Sequence, residues 1–300
     1  MAGAAPDPPR RPALTPTPNP SLTGPLVTVR SPEIDLGEVS ALERTALRAR
    51  ALSLIVRSPG RWRLTMRSDD DFRGPAARTV SAERMRLSLP GAPEIPLSRV
   101  QTMTLATGEG TEAVGVPVDV DLRLELPWEA VPGIYDGRIT LTLEQQSGLS
   151  TASPALVHMH FVVRPVLSVS VEPDAVDFGS VPVESGRTFR SPAPLSIRIL
   201  SNSGWTLAAT VSDLAVRTES AVRGSTGAAS PSVRLENLSG TPRTAVTLAE
   251  TRGAPTPLLS GGSTGAEGVT LRPQVVVDVP PGTAPGTYRL RVLVELKGAP

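Results

Sequence analysis

Two histidines, two residues apart, form the only paired imidazoles in the sequence. His158 and His160 lie in the segment Ala155–Val163, where polar and apolar residues alternate as in a strand. Side chains two apart on a strand share a face, so both imidazoles could hold one metal ion if a third ligand lay across the sheet. No carboxylate can be assigned as that ligand. The alternative is a pair of polar residues on the solvent-facing side, and we predict no metal and no cofactor.

Three consecutive carboxylates follow the predicted strand at Trp62. Asp69, Asp70 and Asp71 offer the oxygen atoms that Ca²⁺ prefers as ligands. A calcium loop spaces its acidic residues alternately, and these three are adjacent. A calcium site and a solvated turn are therefore the two alternatives for this segment.

Trp128 is the candidate binding residue. It lies in the predicted loop Leu126–Pro132, and the corresponding position later in the chain is Pro281. An exposed Trp in a loop is a typical contact residue, whereas the alternative is packing against the end of a sandwich. Other large residues fall at inward positions of predicted strands. We predict core anchors at Trp62, Leu64, Tyr135, Trp205, Leu207 and Tyr288.

Composition excludes several classes of function. The chain has no Cys, so it has no thiolate nucleophile, disulfide, iron–sulfur cluster or Cys zinc site, and a His-based triad would have to use one of two histidines. Thirty basic and 29 acidic residues give a net charge of +1, which provides no general attraction to nucleic acid or anionic lipid. No apolar run is long enough for a transmembrane helix. We therefore expect a protein that is not an enzyme, binds no nucleic acid and inserts into no membrane.

Alternation with a period of two indicates an all-β fold. In the segment after Pro132-Gly, residues Tyr135 to Leu143 place apolar side chains at every second position. The 32 Pro and 26 Gly residues suit many turns between short strands. Ser40 to Arg50 is the best helical candidate, although its counterpart contains Pro192 and Pro194.

The chain repeats one pattern, which predicts two tandem antiparallel Ig-like β-sandwich domains. We place a disordered, flexible Pro-rich segment at 1–25, the first sandwich at 26–163 and the second at 166–300. The matching blocks are Ile34–Val39 with Val176–Val181, Trp62–Leu64 with Trp205–Leu207, and Pro132–Tyr135 with Pro285–Tyr288.

The last strand of the first copy has no counterpart in the second. Ala155–Val163 follows the Tyr135 strand, whereas the sequence after the Tyr288 strand stops at Pro300. A sandwich without an edge strand exposes unpaired backbone groups and can take a strand from another chain. Because residues 1–25 are rich in Pro, which cannot donate to a ladder, Leu26 to Arg30 is the better donor. A strand that serves only as the interdomain connection is the alternative.

The Trp-x-Leu and Pro-Gly-x-Tyr segments resemble WxL domains of Gram-positive bacterial surfaces. The early motif reads Gly60-Arg-Trp62-Arg-Leu64 in one copy and Gly204-Trp205-Thr-Leu207 in the other. In the late strands, Leu141 and Val294 stand where that family has a second Trp. The resemblance implies non-covalent association with the cell wall. Generic bacterial Ig-like or fimbrial sandwiches share the same features.

These observations predict a non-catalytic structural or binding protein of the bacterial cell surface or cell wall. Residues 1–25 lack the apolar run of a secretory signal, so we expect an extracellular or surface location reached after signal removal. The expected partners are a cell-wall polymer or other surface proteins. The alternative is a self-assembling pilus or filament subunit, joined to its neighbours by β-strand exchange.

Overall fold

The computed structural model describes most of the chain. The described residues are 24–111, 114–146, 151–179, 187–217, 231–238, 246–248, 255–281, 283 and 287–298, and the side chains of 212–217 and 287–290 are outside this description. Residues 1–23 of the predicted Pro-rich segment and the Pro285-Gly286 turn lie outside the described residues. Two short 3-10 turns, Pro75–Ala77 and Ala82–Arg84, are the only helical elements of the described part, so no helix in it could span a membrane.

The first half of the chain contains twelve described strands in two facing sheets. One sheet has the order β1-β3-β10-β7-β8 and the other β2-β12-β11-β4-β9, where the short β5 pairs with β11 and β6 pairs with β5. The strands are β1 Leu26–Val29, β2 Glu33–Ser40, β3 Thr45–Arg57, β4 Trp62–Ser68, β5 Phe72–Arg73, β6 Thr79–Val80, β7 Met85–Ser88, β8 Ile95–Pro96, β9 Met103–Gly108, β10 Val116–Glu125, β11 Gly133–Gln145 and β12 Ala155–Arg164.

The second half contains ten described strands in three smaller sheets. Their orders are β13-β15-β20, β14-β21-β17-β18 and β19-β16-β22. The strands are β13 Leu167–Glu172, β14 Arg187–Arg190, β15 Ser196–Ser201, β16 Trp205–Arg217, β17 Ser232–Glu236, β18 Val246–Thr247, β19 Thr256–Gly261, β20 Val269–Leu271, β21 Gln274–Val279 and β22 Thr287–Gly298.

The all-β prediction is confirmed, and the architecture is an Ig-like β-sandwich. Alternate residues of β11 face inward as predicted: Tyr135, Ile139, Leu141 and Leu143 are each 0% exposed. Inward residues of the two facing sheets form one core in the first half, and a separate core lies in the second half. Among the described strands, all pairings are antiparallel except that of β12 with β2, which run parallel.

The helical candidate Ser40 to Arg50 is not a helix in the structure. Ser40 ends β2, a turn follows, and β3 begins at Thr45, which pairs with Glu125 of β10. At Arg50, where φ is +48°, the main-chain N–H donates to an Asp121 carboxylate oxygen at 2.6 Å and the β3–β10 register shifts. Pairing along β10 therefore outweighs the local helical tendency of this segment.

Both halves surround their tryptophans with the same strands. β4 pairs with β9 and β11, and β16 pairs in the same way with β19 and β22. Trp62 lies opposite Gly108 and Trp205 opposite Gly261. A Cβ at Gly108 would be 2.5 Å from the Trp62 indole, and one at Gly261 would be 2.7 Å from the Trp205 indole. Each indole therefore requires a glycine on the neighbouring strand.

Asn202 connects the two halves. Its residue surface is 1% exposed, and its Oδ1 accepts a hydrogen bond from the Val166 N–H at 2.8 Å. Its Nδ2 donates to the carbonyl oxygens of Ala130 at 3.3 Å and Arg164 at 3.2 Å. One buried amide therefore satisfies main-chain groups of the first half and of the connecting segment at once.

We expect Asn202→Ala to destabilise the protein. The substitution leaves a buried N–H and two carbonyl oxygens without this partner, which costs about 1–3 kcal/mol in the free energy of unfolding. Urea denaturation followed by circular dichroism measures the change. Asn237→Gly is the matched control, because Asn237 is exposed and its φ of +65° suits glycine. Equal stability of the two variants would contradict the role assigned to Asn202.

Candidate functional site

The two histidines lie on the outer face of β12. His158 is exposed, and the Nε2 of His160 is 3.4 Å from an Asp35 carboxylate oxygen on β2. Among the described residues, no group of three or more His, Cys, Asp or Glu side chains could hold a metal ion. This geometry supports polar residues on a solvent-facing strand surface.

Asp35 has a lowered pKa because its carboxylate is hydrogen-bonded. The Gly37 N–H donates to its Oδ1 at 2.7 Å, and this bond is the main cause; the adjacent His160 lowers the pKa further. Gly37 has a φ of +75°, which allows the turn. The same turn recurs in the second half, where the Gly179 N–H donates to Asp177 at 2.8 Å.

The three aspartates after β4 bind donors of the protein itself. Asp69 accepts from the Arg138 Nε at 2.9 Å and from the Thr140 hydroxyl at 2.5 Å. Asp70 pairs with Arg73, and Asp71 accepts from the Ala82 N–H at 2.9 Å. Asp69 therefore fixes the turn to β11, Asp70 and Asp71 fix it to the residues that follow, and the geometry supports neither a calcium loop nor a simply solvated turn.

The predicted core anchors lie inside the sandwiches. Trp62 and Trp205 are each 4% exposed, and Leu64, Tyr135 and Leu207 are each 0% exposed. The side chain of Tyr288 lies outside the described residues.

Tyr135 links the strand end to the core. Its hydroxyl donates to the Val131 carbonyl at 3.1 Å, and its ring stacks on Phe161 of β12 at a centroid distance of 5.2 Å. Burial raises the pKa of the Tyr135 hydroxyl. The bond across the corner resembles in geometry the tyrosine corner of Ig-like sandwiches, in which a buried hydroxyl fixes the loop before the strand.

Trp128 is not an exposed contact residue. It is 7% exposed and belongs to the first core, next to the loop whose Ala130 carbonyl accepts from Asn202. The structure therefore agrees with the packing alternative. The loop position of Trp128 does not by itself predict that the indole is buried. Asn202, which hydrogen-bonds this loop at the Ala130 carbonyl, lies far away in the sequence.

The main difference between the halves is at β22. Strand β11 pairs with β4 on one side and with β12 on the other, whereas β22, its counterpart, pairs with β16 alone among the described strands. Leu143 lies opposite Leu64, and Leu296 lies opposite Leu207, so the two pairings have the same register. In the described part of the second half, no strand occupies the position that β12 takes in the first. We call this unpaired side of β22 the open edge.

Burial differs at equivalent positions of the two halves. On β11, Ile139 and its two inward neighbours toward the strand end are 0% exposed. The matching residues of β22 pack against the second core but are only half-buried; they are Val292, Val294 and Leu296. The inward row of β22 therefore lacks the cover that Val157, Met159 and Phe161 of β12 provide on the first half.

The counterpart of β2 in the second half is also unpaired among the described residues. In the first half, β2 runs parallel to β12, with Ile34 opposite Met159. The matching residues 175–179 form no strand, although Val176 and Phe178 pack against the second core. The open edge belongs to the counterpart of β11 and this unpaired segment to the counterpart of β2, and β11 and β2 are the two strands that pair with β12 in the first half.

Comparisons with solved structures find distant likenesses. A chain of the CsuC–CsuE chaperone–tip adhesion subunit complex from Csu pili of Acinetobacter baumannii is 12% identical, with 91% of this chain and 100% of that chain covered and a TM-score of 0.36. The CupB6 tip adhesin of Pseudomonas aeruginosa is 11% identical, with 84% of each chain covered and a TM-score of 0.37. A PapD-like domain of human CEP192 is 13% identical over 53% of this chain and 98% of that domain, at 0.33.

No family model and no curated protein matches this chain. Likenesses at these identities and TM-scores carry no information about function.

We expect Trp128→Ala to lower stability strongly. Removing a buried indole leaves a cavity, which costs about 3–5 kcal/mol in the free energy of unfolding. Chemical denaturation monitored by circular dichroism tests this, with Val100→Ala as the control, since Val100 is 87% exposed. A Trp128 variant as stable as the control would restore the contact-residue alternative.

We also expect Asp35→Asn to change the pH dependence of stability. Because the folded-state pKa of Asp35 is lower than the unfolded value of about 3.9, its carboxylate stabilises the fold above that value, and this contribution is lost as pH falls through the folded pKa. The variant should have a lower urea midpoint than the parent at pH 7, with the difference shrinking below pH ~4. Asp136→Asn, on the other side of His160, controls for loss of a charge. A difference that stays constant with pH would refute the assignment.

Proposed function

We propose that this chain is a non-catalytic protein of the bacterial cell surface or cell wall that acts by binding, and that the open edge of β22 is its contact with a protein partner. The open edge is the observation that carries the proposal. Its twelve residues present a row of main-chain groups on the side away from β16. Extended segments bind to such edges through main-chain hydrogen bonds, and their side chains provide specificity.

The half-buried apolar row on β22 supports the same proposal. Val292, Val294 and Leu296 face the second core without full cover, so a bound strand would remove more of their surface from water. Burying apolar surface contributes about 25 cal/mol per Å². A partner strand at this position thus gains both hydrogen bonds and hydrophobic contact.

Absence of catalysis is part of the proposal. The chain has no cysteine, one of its two histidines pairs with Asp35, and the other is exposed on a strand face. Carboxylates on the first sandwich pair with arginines, as in Asp69 with Arg138. Association with a cell-wall polymer and a location outside the cell are contributed by the resemblance to WxL domains alone.

A self-assembling filament subunit is the second candidate, and the open edge favours it as well. The predicted donor strand Leu26–Arg30 is, however, already paired within its own chain, because Leu26–Val29 forms β1 and pairs with β3. Val27 is only 7% exposed in that position. Strand exchange by this segment would require breaking its pairing in the first sandwich.

Sedimentation of the purified chain tests the proposal. The chain is spun alone and with peptidoglycan sacculi, and we expect it to pellet only with sacculi. Pelleting alone would favour the filament subunit. If the chain stayed in the supernatant in both arms, association with the wall and self-assembly would both be rejected. Bovine serum albumin, spun with the same sacculi, controls for trapping.

A further inference from the structure

We propose that the open edge of β22 accepts a strand from a different polypeptide, which runs antiparallel to β22, carries large apolar residues at alternate positions and places an acidic residue opposite Arg291. This inference deepens the proposed binding function and rests on it. The first sandwich of the same chain supplies the geometry, since β12 occupies the equivalent position there.

The direction of the bound strand follows from β12. That strand is antiparallel to β11 and parallel to β2. Because β22 matches β11 and residues 175–179 match β2, a strand between them that pairs with both must be antiparallel to β22 and parallel to residues 175–179. The turn at Asp177 already has the same Asp-to-Gly hydrogen bond as the turn at Asp35 in β2, so this segment is partly formed for pairing.

The pattern of the bound strand follows from the core that it must cover. Four inward residues of β12 are 0–1% exposed: Val157, Met159, Phe161 and Val163. Phe161 lies opposite Tyr135 and stacks on it. Tyr288 holds the register position of Tyr135 on β22, so the strand should place an aromatic residue there. The remaining inward positions lie opposite the half-buried Val292 and its neighbours.

Charge on the outer face of β22 predicts one further feature of the bound strand, an acidic residue opposite Arg291. On β12, His158 lies between Glu33 of β2 and Arg138 of β11. The matching neighbours in the second half are Ala175 and Arg291, and Arg291 is exposed. An acid at this position of the bound strand meets an arginine on one side and a neutral residue on the other. Opposite charges facing each other across a sheet are stabilising, by about 0.2–1 kcal/mol.

The pattern also indicates a different polypeptide as the source. In the printed sequence, residues 1–23, 218–230 and 239–245 contain no run of four Val, Leu, Ile, Met or Phe residues at alternate positions. Strands β10 and β12 have the alternation, but each is paired on both sides within the first sandwich. A second copy of the chain would therefore have to unfold part of that sandwich to donate β10 or β12.

The orientation of the main-chain N–H and C=O groups of β22 allows one substitution to block the open edge specifically. On β11, the Leu143 carbonyl accepts from Ala152 on the β12 side, whereas the Arg138 carbonyl accepts from Asp69 on the β4 side. Main-chain groups alternate sides along a strand, so those of Val292, Val294 and Leu296 point to the open edge. Val294→Pro removes one N–H from the open edge and leaves the β16 ladder intact, as edge strands tolerate Pro in this orientation.

The test uses the full chain and a fluorescently labelled synthetic peptide with the sequence Ala155–Arg164. We expect saturable binding in fluorescence anisotropy and a higher unfolding temperature of the chain with peptide. Replacing His158→Glu in the peptide should tighten binding about two- to fivefold, and His158→Lys should weaken it. In the chain variant Arg291→Glu, this order should reverse. Val294→Pro should weaken binding by at least about tenfold, and the outward control Leu293→Ala should not.

Three results would overturn the inference. They are absence of saturable binding to a chain that circular dichroism shows to be folded, equal binding by the Val294→Pro variant, and an unchanged peptide preference in the Arg291→Glu variant. Concentration-dependent self-association that Val294→Pro abolishes would assign the edge to a second copy instead. These results are separate from the proposed function: a chain that pellets with sacculi but binds no peptide retains the surface role and loses the strand site, and the converse removes the surface role alone.

Discussion

The fold of this protein depends on main-chain hydrogen bonding between strands. Each long strand either pairs with a strand on both sides or lies at the edge of a sheet. In the first sandwich, β12 meets that requirement for two strands at once, because it pairs with β11 and with β2. The same strand contributes Phe161, which stacks on Tyr135 and lies edge-on to Phe72 at 5.5 Å. Backbone pairing and aromatic packing are therefore supplied by one element.

In its described part, the second sandwich has no strand equivalent to β12. Around Trp205 it repeats the strand order, the register and the glycine contact found around Trp62. At the position of β12 it differs: β22 has one partner, its apolar row is half-buried, and residues 175–179 form no strand. All three changes are local, since they occur at the counterparts of β11 and β2, the two neighbours of β12 in the first half. The half-open core is the basis of the proposed binding site at this edge.

The two halves of the chain meet at a buried junction around Asn202. Asn202 hydrogen-bonds main-chain groups on both sides of the connection, and Leu200 and Ala266 of the second half pack against the first core. Main-chain groups that are satisfied by a buried amide cannot separate without cost. The two halves are thus joined by packing and hydrogen bonds in addition to the short connection through Pro165.

Alternation along β11 and β10 was sufficient to predict the all-β class and the inward face of each strand, because a period of two is a property of the local backbone. The inward positions of Trp62, Leu64 and Tyr135 follow from the same rule. Tertiary structure decided the rest. Ser40 to Arg50 is not helical because β10 pairs with it, Trp128 is buried because the sandwich end closes over its loop, and Leu26–Val29 is committed to β3. Each of these depends on partners distant in sequence, and a hydrogen bond or packing contact between distant segments leaves no local pattern at either residue.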